Sequence, residues 1–313
     1  MRRFELADLR PRPGTRFVGR YTVAEGVGFP LWICHGKRPG PSLLLTAGVH
    51  GDEYEGPSAL RSLYEVIEPA RLCGTVIAIP VVNWPAWIER ARFDSQSGLD
   101  LNRCFGPGMV KIHTPTGQLV DALLSHFVKQ ADVVMDFHSG GLRLQHLPLA
   151  GWYRQGADSE AEQLARRFYP HFHPWQVPEV EGVLSCEAHR LGKVAMGFEW
   201  GGGACLSTDG TDAILKGIQR VMQQLQMLPG DVGTIAVDSR PAIEGNYQTV
   251  PHQGFFHPDC SLGQFVEKGA PIGRLLNFEN CETFSVSADR SGILAGIAHL
   301  PWLRKGDRLA YIG

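Results

Sequence analysis

"SLLLTAGVHGDEYEGP", residues 42–57, runs from an apolar stretch into a Gly-rich turn carrying one histidine and three carboxylates. The apolar part, 42–49, reads as a short buried strand. Pro57 suits a first helical turn, and helical periodicity follows over 57–68. His50 and Glu53 sit three apart in the turn between the two. On these residues alone the pair is either a metal-binding couple or a polar loop that holds one histidine.

The strand-to-helix order recurs along the chain. "GTVIAIPVV" (74–82), "ADVVMDFHS" (131–139) and "KVAMGFEWG" (193–201) read as further buried strands, rich in β-branched or aromatic residues. Helices are expected over 117–130, 158–169 and 211–227. Residues 17–36 read as two strands joined by a Gly turn, and "RPGPS" (38–42) as a turn. Alternating strands and helices imply an α/β fold with a mixed, partly parallel sheet flanked by helices. The Pro-, Gly- and Arg-containing segment of roughly 83–117 is too long for an ordinary connection and marks a functional loop region. From about residue 233 the helical period disappears, and short strands alternate with Gly turns. Two domains are therefore expected: an α/β unit over 1–232 and a β unit over 233–313.

Composition bounds the function. The chain has 313 residues, 43% of them hydrophobic, enough for a large core and against disorder. A formal net charge of −2 argues against nucleic-acid binding as the main function. Seven widely spaced cysteines with no C-x-x-C are neither a disulfide framework nor a cysteine zinc site. The N-terminal "MRRFELADLRPRPG" has no apolar core behind its charges, and no run approaches a membrane span. A cytoplasmic protein with no membrane partner is expected.

Three of the four buried strands end on residues that can do chemistry. The first leads into His50 and Glu53, the third ends at His138 and the fourth at Glu199. In open α/β sheets ligands bind beyond the carboxyl ends of strands, so these residues can converge on one rim. Two imidazoles and one carboxylate are a common ligand set for catalytic zinc, which leaves a fourth position open to water. A further carboxylate, Glu199, suits the general base. Asp136, two residues before His138, suits a hydrogen-bond acceptor that fixes a ligand histidine's tautomer. The remaining histidines, His146 among them, lack comparable placement; "HFH" (171–173) is expected at a helix end. A second constellation, "GLDLNRCFGPG" (98–108), offers Asn102 and Arg103 as donors for a carboxylate, although on this segment alone a turn with an exposed arginine is the favoured reading. Arg90 and Arg92 are upstream candidates for the same anion.

Together these segments resemble the succinylglutamate desuccinylase/aspartoacylase family of zinc hydrolases, a branch of the zinc carboxypeptidase fold. The matching pieces are "GVHGDEYEG", "GLDLNRCFGPG", "DFHSGG" and "FEWGGG", in the family's order. The resemblance implies one Zn2+ per chain on His50, Glu53 and His138, with Glu53 rather than Glu55 as the ligand. It implies Glu199 as the proton-handling carboxylate. It also implies Asn102, Arg103 and an upstream arginine, best matched by Arg92, as contacts to a substrate carboxylate. "GQFVEKGAPIGRL" and "ADRSGILAGIAHLPWLRKGDRLAYIG" resemble two halves of a biotinyl/lipoyl-type barrel. The stretch at the carrier tip, "NFENCETF", has no lysine, which disfavours carrier function and favours a lid or packing role. The "EWGGG" form points to the branch that deacylates N-acyl diamino acids.

The expected function is zinc-dependent cleavage of the amide of a small, carboxylate-bearing N-acyl amino acid. A metallocarboxypeptidase acting on peptides shares the whole zinc site and is the nearest alternative. A non-catalytic metal- or metabolite-binding protein on the same scaffold is the alternative of a different class. A homo-oligomer is compatible with the sequence.

Overall fold

The computed structural model describes residues 11–154, 159–230 and 236–313. The expected boundary at 232/233, the first residue of the helix expected at 158–169, and residues 1–10 of the N-terminal stretch lie outside the described residues. In chain order the elements are β1 (Thr15–Ala24), β2 (Val27–His35), β3 (Arg38–Ala47), α1 (Glu55–Val66), β4 (Cys73–Ile79), α2 (Trp84–Glu89), α3 (Pro115–Ala122), β5 (Val133–His138), β6 (Leu144–Trp152), α4 (Glu160–Arg166), β7 (His173–Gln176), α5 (Leu184–Arg190), β8 (Val194–Gly202) and α6 (Thr208–Gln224). The C-terminal part adds β9 (Asn246–Thr249), β10 (Gly254–Pro258), β11 (Phe265–Val266), β12 (Pro271–Leu276), β13 (Thr283–Ser287), β14 (Gly292–Ala298), β15 (Trp302–Leu303) and β16 (Arg308–Ile312).

The large sheet is mixed. Its centre is parallel: β3 pairs with β4 and β5, and β5 with β8. On one side β4 pairs antiparallel with β2, which pairs with β1. On the other, β8 pairs antiparallel with β6. The central strands are apolar at successive positions because helices cover both faces. Leu43 and Leu45 join the core formed with α1 and α6, and Leu44 the core formed with α3 and α5. Val133, Met135 and Phe137 of β5 belong to the first core and Val134 to the second. Each such leucine is fully buried, and truncating one to alanine costs about 2–5 kcal/mol.

Residues 38–42, expected as a turn, instead begin β3. They pair only with β4, across a register irregularity, so Pro39 and Pro41 disturb one ladder and not two. The "HFH" histidines are not at a helix end, since His173 opens β7.

The C-terminal strands do not form a closed barrel among the described residues. β10, β12, β13 and β15 make a four-stranded antiparallel sheet, while β9, β14 and β16 extend the large sheet. The edge of β14 that would help close a barrel is taken by β6, with Gly296 opposite His146. The two sheets share a core that includes Phe256, Leu275, Leu294 and Leu309. This pairing carries the C-terminal strands to the rim where β5 and β8 end. Among the described residues no helix is long and apolar enough to cross a membrane. All seven cysteines are free.

Candidate active site

The parallel register sets the rim. Ala47, Phe137 and Phe198 stand side by side on β3, β5 and β8, and His138 lies opposite Glu199. Immediately after β3, Gly48 takes φ +59, and a Cβ there would come within 3.1 Å of the Val81 and Pro80 backbone. Glycine is required at this left-handed, crowded turn, which swings the chain toward His50. Beyond Glu199, Gly201 and Gly203 also have positive φ and turn the chain off the rim.

His50, Glu53 and His138 offer donor atoms that all lie within 4.8 Å of one another, and all three residues are substantially buried. His50 Nδ1 is 2.7 Å from Glu53 Oε1, and His138 Nδ1 is 2.9 Å from Glu53 Oε2. Each imidazole meets a second carboxylate through its other nitrogen: His50 Nε2 with Asp100 Oδ1 at 3.0 Å, and His138 Nε2 with Asp136 Oδ2 at 2.9 Å. Asp136 is fully buried and also accepts from Thr46 Oγ1 at 2.7 Å, from the facing position on β3.

This arrangement fits a divalent cation. A neutral imidazole has one N–H, yet each of these rings has a carboxylate at both nitrogens. A cation held by His50, Glu53 and His138 would leave each imidazole one N–H for its outer carboxylate, the usual partnership of a ligand histidine. It also removes the need to bury imidazolium charge. Without a cation, burial alone would raise the Glu53 carboxyl and lower His138. The charges around them win: His50 and His138 hold Glu53 well below its usual range, and Asp136 and Glu53 hold His138 well above. Glu55 faces away. Its Oε1 accepts from the Ser207 backbone N–H at 3.2 Å, and burial pushes its carboxyl up to about 7.

Asp100 organises the "DLNR" turn. It accepts from the Asn102 backbone N–H at 3.0 Å and binds Arg92 Nη2 at 3.0 Å while touching His50. Burial would raise its carboxyl, but the His50 hydrogen bond and Arg92 hold it far below the carboxylate range. Asn102 is anchored by the Leu184 backbone N–H, which donates to Oδ1 at 2.9 Å, and its Nδ2 lies 3.3 Å from His138 Nε2. Arg103 Nη1 donates to the Asn102 carbonyl at 2.6 Å. Burial pulls the Arg103 guanidinium down; Asp100 opposes this, while Arg308 and Arg92 add like-charge repulsion.

A cavity of about 210 Å³ joins these groups. Its lining includes His50, Glu53, His138, Glu199, Arg92, Asn102 and Arg103, so the structure brings all the expected site residues together. Arg90 is not in the lining; it caps the C-terminus of α2 in a left-handed conformation. Sequence reasoning missed other members. His146 is not an idle histidine: its Nδ1 lies 3.2 Å from Glu199 Oε2. Asn246, Tyr247, Arg308 and Tyr311 come from the C-terminal strands and close one wall. The apolar part of the lining includes Trp175, Val177 and Val183, together with Tyr153, whose hydroxyl is 2.9 Å from Ser185 Oγ.

The chain is 29% identical over 290 residues to the N-alpha-acetyl-L-2,4-diaminobutyric acid deacetylase of Halomonas elongata, covering 87% of this chain and 82% of that one. It resembles the product-bound structure of the ectoine utilization protein EutE (DoeB) from Ruegeria pomeroyi, with a TM-score of 0.83, 26% identity, and 95% and 94% of the two chains covered. The succinylglutamate desuccinylase/aspartoacylase from Rhodobacter sphaeroides superposes with a TM-score of 0.82 at 26% identity, over 95% of this chain and 94% of its own. Residues 39–225, which hold the His–x–x–Glu pair, the "DLNR" turn, His138 and Glu199, match the succinylglutamate desuccinylase/aspartoacylase catalytic domain, and the chain belongs to that family.

Proposed function

We propose that the protein is a zinc-dependent hydrolase that removes the acyl group from a small N-acyl amino acid. One observation carries this reading: a single small cavity is lined by a His–Glu–His donor set, a separate carboxylate at Glu199, and the cationic groups Arg92, Arg103 and Arg308. Zinc held by His50, Glu53 and His138 would supply Lewis acidity to the amide carbonyl and acidify water. Glu199 takes the proton of the attacking water at a carboxylate oxygen and returns it to the leaving amine. Asn102, oriented through its Oδ1, and Arg103 hold the substrate carboxylate. An anion at this point also relieves the repulsion among Arg103, Arg308 and Arg92. Fixing the carboxylate fixes the distance to the scissile bond, which lowers the entropic part of the barrier.

Cavity size supports a small substrate. About 210 Å³ is below the range of ordinary drug-sized pockets, and Tyr247, Arg308 and Tyr311 of the C-terminal strands line it. In this reading the unit over 1–232 carries the chemistry and the unit over 233–313 walls the cleft. The Halomonas relative's name makes N-acetyl diamino acids the first compounds to assay.

The test pairs free acids with their methyl esters. Arg103→Ala should lower kcat/KM for the acid by about 10- to 100-fold, the scale of a lost charge-assisted hydrogen bond. The ester, which has no carboxylate to hold, should be poor in wild type and little changed in the variant. Equal wild-type rates on acid and ester would refute the carboxylate anchor. Faster cleavage of long peptides would assign the chain to carboxypeptidase chemistry.

A further inference from the structure

Glu199, the proposed proton acceptor, is held by neighbours whose part in the chemistry has not yet been assigned. Its Cα neighbours on β5 and β6 are His138 and Leu149, and its Oε2 contact is His146. His146 lies on β6, where the pairing with β8 slips between His146 and Leu149. The slip places its imidazole over the cavity wall. There Nδ1 is 3.2 Å from Glu199 Oε2 and Nε2 is 3.0 Å from the Tyr247 hydroxyl.

The imidazole has little freedom. It is 6% exposed, and Gly296 of β14 stands opposite it. A Cβ at position 296 would come within 2.5 Å of His146 Cδ2, so the ring occupies the space that a side chain there would fill. Tyr247 is held in turn: the Arg308 guanidinium lies 4.1 Å from its ring centroid, and Tyr311 packs against it at 4.9 Å.

We propose that His146, clamped by Tyr247, is a positioning residue for Glu199, donating Nδ1–H to Oε2 and leaving Oε1 as the oxygen that accepts and returns the proton. The inference rests on the reading of Glu199 as the proton acceptor. Hydrogen-bond logic fixes the direction. An ionised carboxylate only accepts, so the proton between Glu199 and His146 sits on Nδ1. In the neutral ring the remaining lone pair is then on Nε2, and the tyrosine hydroxyl donates to it. Burial pushes the Tyr247 hydroxyl up, so it keeps its proton at neutral pH. During turnover Oε1 gains a proton from water and gives it to the amine, while Oε2 remains bonded to Nδ1–H throughout. The carboxyl group therefore does not rotate between the two transfers. The relay also gives the C-terminal strands a place in the chemistry, since Tyr247 belongs to β9 and Arg308 to β16.

The test has two parts. First, ring 15N shifts of His146 are measured in the wild-type protein and in Tyr247→Phe. A single Nδ1–H tautomer in wild type, mixed with the Nε2–H form in Tyr247→Phe, is the expected result. A wild-type Nε2–H tautomer overturns the proposal. Second, kcat and KM are compared for wild type, His146→Leu and His146→Asn at equal metal content. His146→Leu should lower kcat about tenfold or more with KM within about twofold, and His146→Asn, whose amide N–H sits near the Nδ1 position, should recover most of the loss. Adding His146→Leu to Glu199→Gln should cause no further loss, because the two act as one unit. A folded, metal-replete His146→Leu with wild-type kcat overturns the proposal, as does an Asn variant as impaired as Leu. If His146→Leu does not fold, the wild-type tautomer decides. Normal turnover in Glu199→Gln would instead remove the reading beneath it, so the two failures are separable.

Discussion

Glu199→Gln should keep the fold and the bound metal and lose about 10²- to 10⁴-fold in kcat, the range for a positioned general acid–base group. The glutamine side chain is close to isosteric and still accepts a hydrogen bond from His146 Nδ1 through its carbonyl oxygen, so the neighbouring contacts survive. What it loses is proton affinity. KM should therefore change little, which separates a lost proton acceptor from a lost binding contact. A Gln variant with near-normal turnover, shown by mass spectrometry not to have deamidated, would assign the base to another group.

His50→Ala should strip the metal and abolish turnover. Removing a group that only supports a ligand, as Asp136→Asn does, typically costs about 10- to 100-fold in metal affinity. Removing a ligand should cost more than that. His50 is a cleaner choice than His138 for this experiment. Without His50, Asp100 keeps Arg92 at 3.0 Å and the Asn102 N–H at 3.0 Å. Without His138, the fully buried Asp136 keeps, among the described residues, the Thr46 hydroxyl alone, and an under-satisfied buried carboxylate lowers stability as well as activity. Melting curves should show His50→Ala near the metal-free wild type and His138→Ala below it. Retention of stoichiometric metal by His50→Ala would remove it from the ligand set.

Much of this site was legible in the sequence because its residues sit at the ends of strands. A strand buried on both faces reads as an unbroken apolar run, and the first polar residues after it mark the rim. That logic reaches His50, Glu53, His138 and Glu199 without knowing which strand pairs with which. The "DLNR" segment was legible as a turn that offers Asn102 and Arg103 as donors, but Asp100 was not legible as its organiser. Its contacts to Arg92 and the Asn102 backbone are local, but the one to His50, fifty residues away, exists only once the loop folds back toward the end of β3. His146 was missed for a related reason. It lies in "LQHLPLAGW", where Pro148 falls within the register slip of β6 and breaks the alternation that would mark a strand. The C-terminal strands were legible as strands, but their pairing was not: the edge of β14 matches β6 across about 150 residues of chain, a contact with no local signature. A barrel was what the resemblance to a biotinyl/lipoyl-type domain implied; the two-sheet arrangement, in which Tyr247 and Arg308 line the cavity, goes with that one long-range pairing.

The most direct measurement is metal content taken together with turnover. Purified protein is analysed for bound metal, stripped with a chelator, and reloaded with zinc, and hydrolysis of an N-acetyl amino acid is followed at each stage. One zinc ion per chain at the His50–Glu53–His138 cluster is expected, with turnover lost on stripping and restored on reloading. Metal-free protein that hydrolyses the same substrate at the full rate would contradict the assignment.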